Sequence, residues 1–236
     1  MKHYLIEFRF HGYAKKYAKR LTYDIGKKFK VRGVTRKKVV PHITMFGPFT
    51  TKNEKKMVSV VTNIAQNYTL IPFTVIGFNF FDNATNKVIY LSIEPSEELK
   101  QLRFEIADRL RKITKTKSSQ DRKSKDKFYF HATIAFKDID RKFNKIWHYL
   151  KKKEEPNIQQ HVLRITILKG RRILYEYDLL QKRLLNRKQS LDKHIYQRTI
   201  DILKSQQVSQ QFIQRFEAKR KKVGLWEKIK SYFNNY

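Results

Sequence analysis

Two stretches decide the fold: "PHITMFGPF" (residues 41–49) and "FYFHATIAF" (128–136), which set His42 with Thr44 and His131 with Thr133 at the same two-residue spacing. Residues two apart in an extended chain share a face. In the first stretch Val40, His42, Thr44 and Phe46 therefore point one way, and Val39, Pro41, Ile43 and Met45 the other. In the second, Tyr129, His131, Thr133 and Ala135 share a face, opposed by Phe130, Ala132 and Ile134. Each stretch reads as a strand that buries one apolar face and presents an imidazole and a hydroxyl on the other.

Two imidazoles and two hydroxyls suit phosphodiester chemistry. A neutral imidazole can take a proton from water or a hydroxyl nucleophile, and a protonated one can give a proton to the leaving oxygen. The hydroxyls can hold non-bridging oxygens as charge builds on phosphorus. That scheme needs no metal or cofactor, and the sequence shows no His, Asp and Glu cluster at ligand spacing. The other histidines (His3, His11, His148, His161 and His194) have no threonine two residues on.

Outward from these strands, periodicity predicts a strand over 3–10, a helix over 13–30, a basic loop over 31–38 and a helix over 53–67. Strands follow at 71–81 and 87–95, then a helix that Ser96 caps, with Glu97 and Glu98 in its first turn. Residues 114–127, with six basic and two acidic residues and no apolar one, read as a mobile loop. A helix near 141–153 and a hairpin over 161–180 turning at Gly170 complete the pattern. Antiparallel strands covered by helices indicate an α+β fold. From 183 the chain turns polar, helical and basic, so the expected division is a domain over 1–182 and a C-terminal extension over 183–236, which carries thirteen basic and four acidic residues.

The whole chain has 236 residues, 53 Lys and Arg against 21 Asp and Glu, and a net charge of +32. A field of that size and sign attracts polyanions, RNA foremost. The lack of cysteine excludes disulfides and thiolate chemistry. The start, "MKHYLIEFRF", is not a signal peptide, and no apolar run is long enough to span a membrane. A cytoplasmic monomer is the expectation.

The two His-x-Thr strands and their separation, the strand–helix "VIYLSIEPSEELKQLRFEIADRL" (88–110) between them and the closing "LRITILKGRRILYEYDLL" (163–180) resemble the 2H phosphoesterase superfamily. The similarity covers about residues 1–180, and within it the RNA 2′,3′-cyclic phosphodiesterases, also called 2′–5′ RNA ligases. The resemblance implies a bilobal fold, two pseudo-symmetric antiparallel sheets with flanking helices around a central cleft. It implies metal-independent opening of terminal 2′,3′-cyclic phosphates on RNA, to a 2′-phosphate, with weak 2′–5′ ligation in reverse. His42 and His131 become the catalytic pair, with His131 the base and His42 the acid, and Thr44 and Thr133 the phosphate-holding hydroxyls. Residues 183–236 depart from the compact family pattern. Two other readings stand beside this one: a basic RNA-binding protein with a vestigial 2H site, and a 2H enzyme acting on a small cyclic nucleotide.

Phe46 and Tyr129 share the face of the motif residues and are candidates for stacking on a nucleobase. The 111–127 loop, and Arg36, Lys37 and Lys38 just before the first motif strand, are candidate phosphate contacts. The amphipathic "GLWEKIKSYFNNY" (224–236) reads as a helix that docks on the domain.

Overall fold

The computed structural model describes residues 3–33, 40–83 and 86–206. Arg36, Lys37 and Lys38 and the 224–236 segment lie outside the described residues. The chain divides into two compact units, Met1–Ser190 and Leu191–Tyr236.

The first unit is α+β. In chain order it runs β1 (Tyr4–Arg9), α1 (Gly12–Lys28), β2 (His42–Thr50), α2 (Glu54–Ala65), β3 (Ile71–Asn83), β4 (Asn86–Pro95), α3 (Glu97–Arg111), β5 (Lys115–Thr116), β6 (His131–Phe136), α4 (Phe143–Lys151), β7 (Asn157–Val162), β8 (Arg164–Lys169), β9 (Arg172–Asp178) and β10 (Arg183–Asn186). Two antiparallel sheets result, with strand orders β10-β9-β8-β1-β2-β5 and β6-β4-β3-β7. The β1–α1–β2 unit of the first sheet is echoed by β4–α3–β6 of the second. Each helix reaches across to the other unit's motif strand, α1 to β6 and α3 to β2, and the two motif strands are themselves in contact.

One hydrophobic core serves both sheets. Phe8 of β1 meets Phe73 of β3 edge-on at 5.0 Å between ring centroids, and Phe10 lies 5.9 Å from the same ring. Apolar burial at one core spanning both sheets makes the two halves fold as one body. Helix α3 begins where its cap predicts, the Ser96 hydroxyl accepting from the Leu99 amide, and at the start of α2 the Asn53 side chain accepts from the Lys56 amide.

Four expectations change. The stretch 161–170 is not one strand. His161 and Val162 end β7 in the four-stranded sheet and β8 starts at Arg164 in the six-stranded one, so the chain switches sheets at Leu163, which a continuous apolar run conceals. Residues 183–186 are not extension but strand, paired to β9, and the first unit therefore runs to Ser190 rather than 182. In the second unit a helix covers 193–206.

The 114–127 segment is not an unanchored loop. Lys115 and Thr116 pair with the end of β2, and two 3-10 turns follow at Ser119–Arg122 and Lys125–Lys127. Asp121, 2% exposed, accepts the amide of Gly47 in β2 at 3.0 Å and bonds the Thr116 hydroxyl. Gly47 has φ +110° and a side chain there would strike the Tyr4 carbonyl at 3.0 Å, so only glycine fits. Arg103 of α3, fully buried, donates to the carbonyls of Lys123 and Gln120 at 3.0 and 2.5 Å, with its guanidinium over the Phe128 ring. Burial lowers its pKa to about 10, which keeps it charged at neutral pH. A polar sequence thus forms an ordered segment because buried Arg103 satisfies two of its carbonyls and buried Asp121 ties it to β2.

The fourth change concerns β2. Its burial does not alternate: His42 and Thr44 are half-buried, and both Met45 and Phe46 are buried. The β1–β2 register moves from Glu7↔Thr44 to Ile6↔Phe46, so Met45 is an extra residue, a β-bulge. The bulge turns Phe46 into the core, 0% exposed and 5.1 Å from the Phe49 ring. Phe46 therefore has no surface to offer a nucleobase.

Candidate active site

The second motif strand repeats this irregularity. Its register against β4 moves from Tyr90↔Thr133 to Ile89↔Ala135, which makes Ile134 the extra residue. Both strands thus carry a bulge one residue after the motif threonine. Their burial patterns over the first five residues are identical: half-buried His and Thr, then buried residues at every other position. A bulge bends its strand and increases its twist, so each motif pair is re-aimed in the same way.

The two imidazoles are also held identically. His42 Nδ1 lies 2.8 Å from the Val40 carbonyl, and His131 Nδ1 lies 2.9 Å from the Tyr129 carbonyl. A carbonyl only accepts, so each Nδ1 carries the hydrogen. In the neutral ring Nε2 is then the free base nitrogen, and in the charged ring it is the proton donor. Each histidine thus bonds the backbone two residues before it through Nδ1, which leaves Nε2 as the nitrogen turned to other groups.

What differs is the surroundings. His131 lies among rings, with Phe81 edge-on at 4.9 Å and Tyr90 at 5.2 Å. Burial pushes its pKa below the ordinary 6.5, the Tyr129 carbonyl opposes this, and the charge of His42 adds to the lowering. That last influence marks the two imidazoles as electrostatic neighbours. His42 instead faces an acid. Glu7 Oε2 is 3.6 Å from His42 Nε2, and Glu7 is 2% exposed. Its other oxygen accepts from Arg9 Nε at 2.7 Å. In the β1–β2 register Arg9 stands opposite His42 and Glu7 opposite Thr44.

Glu7 and Arg9 were not singled out from the sequence. Glu7 could have been, as the one acid in an otherwise apolar and basic first strand, but its neighbour depends on pairing across the sheet. Beyond Glu7 the polar row continues through Thr166 to Glu176, whose carboxylate accepts from Thr166 at 2.8 Å. Burial raises the Glu176 pKa, with Thr166, Arg164 and Arg9 working against it.

Tyr129 lies just outside β6, 62% exposed, with Lys123 Nζ 5.0 Å from its ring centroid. It keeps the accessibility that Phe46 lacks. The anchored 114–127 segment brings Lys123 to it.

Comparison with solved structures finds Kluyveromyces marxianus Usb1 at 11% identity and TM-score 0.44, covering 78% of this chain and 97% of that one. The same protein with uridine monophosphate matches at 10% and TM-score 0.42, covering 78% and 96%. A crystal structure titled simply as a phosphoesterase matches at 13% and TM-score 0.41, covering 78% and 93%. No curated protein matches significantly. A family model, the 2′-5′ RNA ligase superfamily, matches residues 20–173, a span of well over half the chain that contains both motif strands. With two His-x-Thr strands bulged and hydrogen-bonded alike on paired sheets, the chain belongs to the 2′-5′ RNA ligase superfamily.

Proposed function

We propose that this protein is a metal-independent phosphodiesterase that opens terminal 2′,3′-cyclic phosphates on RNA. The observation that carries the reading is two like-held imidazoles on contacting strands: His131 in an aromatic pocket that disfavours its charge, and His42 3.6 Å from a buried carboxylate. Such a pair can supply one base and one acid.

In this mechanism His131 Nε2 takes a proton from water as the water oxygen bonds to phosphorus. The bond from phosphorus to the ribose 3′-oxygen breaks, and His42 Nε2 gives that oxygen its proton. A 2′-phosphate and a 3′-hydroxyl remain, with the proton on His131 returning to His42 through solvent. Thr44 and Thr133 donate to non-bridging oxygens, and Arg9, opposite His42, adds positive charge there. With a ribose 5′-hydroxyl in place of water as the nucleophile, the same groups and the same leaving 3′-oxygen support weak 2′–5′ joining. Tyr129 offers a stacking face to the terminal base. Glu7 acts through His42, as a positioning residue that orients its ring from 3.6 Å.

The test is turnover of oligonucleotides and dinucleotides ending in a 2′,3′-cyclic phosphate. His42→Ala and His131→Ala should each abolish it while leaving RNA binding in place. Binding without turnover in the unaltered protein would favour a vestigial site, and turnover only of mononucleotide cyclic phosphates would move the reading to a small-molecule enzyme.

A further inference from the structure

The charge of this protein is not spread evenly over its helices. Helix α1 carries six basic residues against one acidic, and Asp140–Lys151, comprising a 3-10 turn and α4, carries four against one. On the other pair, α2 has two basic and one acidic residue, and α3 four of each. α1 and α4 meet through Phe29 and Tyr149, 5.5 Å apart between ring centroids. A lysine-rich composition alone would load all four helices alike.

Within α1 the surface residues are ordered. Ala14, Ala18, Leu21 and Ile25 are buried. At 3.6 residues per turn the side opposite them holds Tyr13, Lys16, Arg20, Tyr23 and Lys27, spaced three, four, three and four. All five are exposed. Tyr13 and Tyr23, at 65% and 60%, are among the few large exposed apolar side chains of the described residues. The stripe is about 21 Å long at 1.5 Å per residue. Tyr13 touches one ring, that of Tyr17 at 6.3 Å, and its remaining face, like that of Tyr23, is turned to water. The start of α1 also adjoins the candidate site along the chain: Arg9 of β1, which stands opposite His42, lies three residues before Gly12, where α1 begins.

We infer that the outward stripe of α1, Tyr13–Lys16–Arg20–Tyr23–Lys27, is a binding track for the single-stranded RNA that leads into the catalytic cleft. The cations meet backbone phosphates and the tyrosines stack on bases, a combination that grips a strand without reading its sequence. The inference rests on RNA being the substrate. It adds that recognition extends past the reacting end along one named helix.

The experiment uses the full chain and two equal charge changes. One variant is Lys16→Glu, Arg20→Glu and Lys27→Glu on α1. The other, Lys55→Glu, Lys56→Glu and Arg109→Glu, makes the same change at exposed positions of α2 and α3. Binding of a single-stranded RNA of about 15 nucleotides is read by fluorescence anisotropy over a salt series. The α1 variant should bind at least about tenfold more weakly near 0.1 M salt, and its log–log salt slope should flatten by roughly 2, at about 0.7 per phosphate contact. The α2–α3 variant should change far less. Tyr13→Ala with Tyr23→Ala should weaken binding while leaving the slope unchanged. Dinucleotide turnover should be unaltered in all three.

Equal losses in the two charge variants would overturn the track, since they would mean a general field. So would unchanged RNA binding in the α1 variant, including the case where it loses affinity only for anionic lipid vesicles. Because anisotropy needs no catalysis, a protein silent on every cyclic phosphate would refute the enzymatic reading and leave the track to be judged by the same binding data.

Discussion

Glu7 Oε2 stands 3.6 Å from His42 Nε2, inside a strand that is otherwise apolar toward the core. Among the described residues no equivalent acid faces His131, which has Tyr90 opposite the motif threonine where β2 has Glu7. Among the same residues the titratable groups around His42 include Glu7 and Arg9 on β1 and His131 on β6, with Glu176 and Lys15 beyond Arg9.

Glu7→Gln keeps the shape and removes the carboxylate charge 3.6 Å from His42 Nε2. Turnover near pH 7.5 should fall about tenfold, ~1.4 kcal/mol, chiefly in kcat. Unchanged turnover with a lowered thermal midpoint would show that Glu7 matters only for packing.

The acidic limb of the pH–rate profile belongs to the base. His131 works when neutral, and burial among Phe81 and Tyr90 lowers its pKa. Activity should therefore persist below pH 6.5 and fall only as pH drops through that lowered value. Replacing Phe81 with Ser admits water beside the ring, and the acidic limb should then move upward. Steady-state rates from pH 4.5 to 9 on a cyclic dinucleotide read both limbs, as properties of the coupled pair.

Two aromatic residues that look alike in the motif stretches should behave oppositely. Phe46→Ala opens a cavity in the core and should cost roughly 3–5 kcal/mol of stability. Among molecules that remain folded, KM should hardly change. Tyr129→Ala, at an exposed position, should leave the thermal midpoint nearly unaltered and raise KM several-fold. Paired melts and kinetics separate the two effects. A KM change from Phe46→Leu without loss of stability would contradict the buried placement.

A chain ended after Ser190 retains β10, whose Leu185 is fully buried. One ended after 182 loses that strand and bares the edge of β9. The longer truncation product should fold cooperatively and turn over cyclic dinucleotides. The shorter should melt several degrees lower or aggregate through its open edge. Equal melting of the two would place the boundary back near 182.

The side-chain alternation of a strand is local, and it was enough to put His42 with Thr44 and His131 with Thr133 on common faces and to identify the α+β class and its family likeness. The cap at Ser96 was legible for the same reason: it depends on residues within one turn. What lay outside the sequence depended on pairing over distance. The bulges at Met45 and Ile134 exist only in register with β1 and β4, and one of them withdrew Phe46 into the core. Glu7 meets His42, and Asp121 the amide of Gly47, across 35 and 74 residues of chain. The sheet switch at Leu163 hides in an unbroken apolar run. Periodicity carries no information about such contacts, because cross-strand register and core packing decide them, and these are settled only when the whole unit folds.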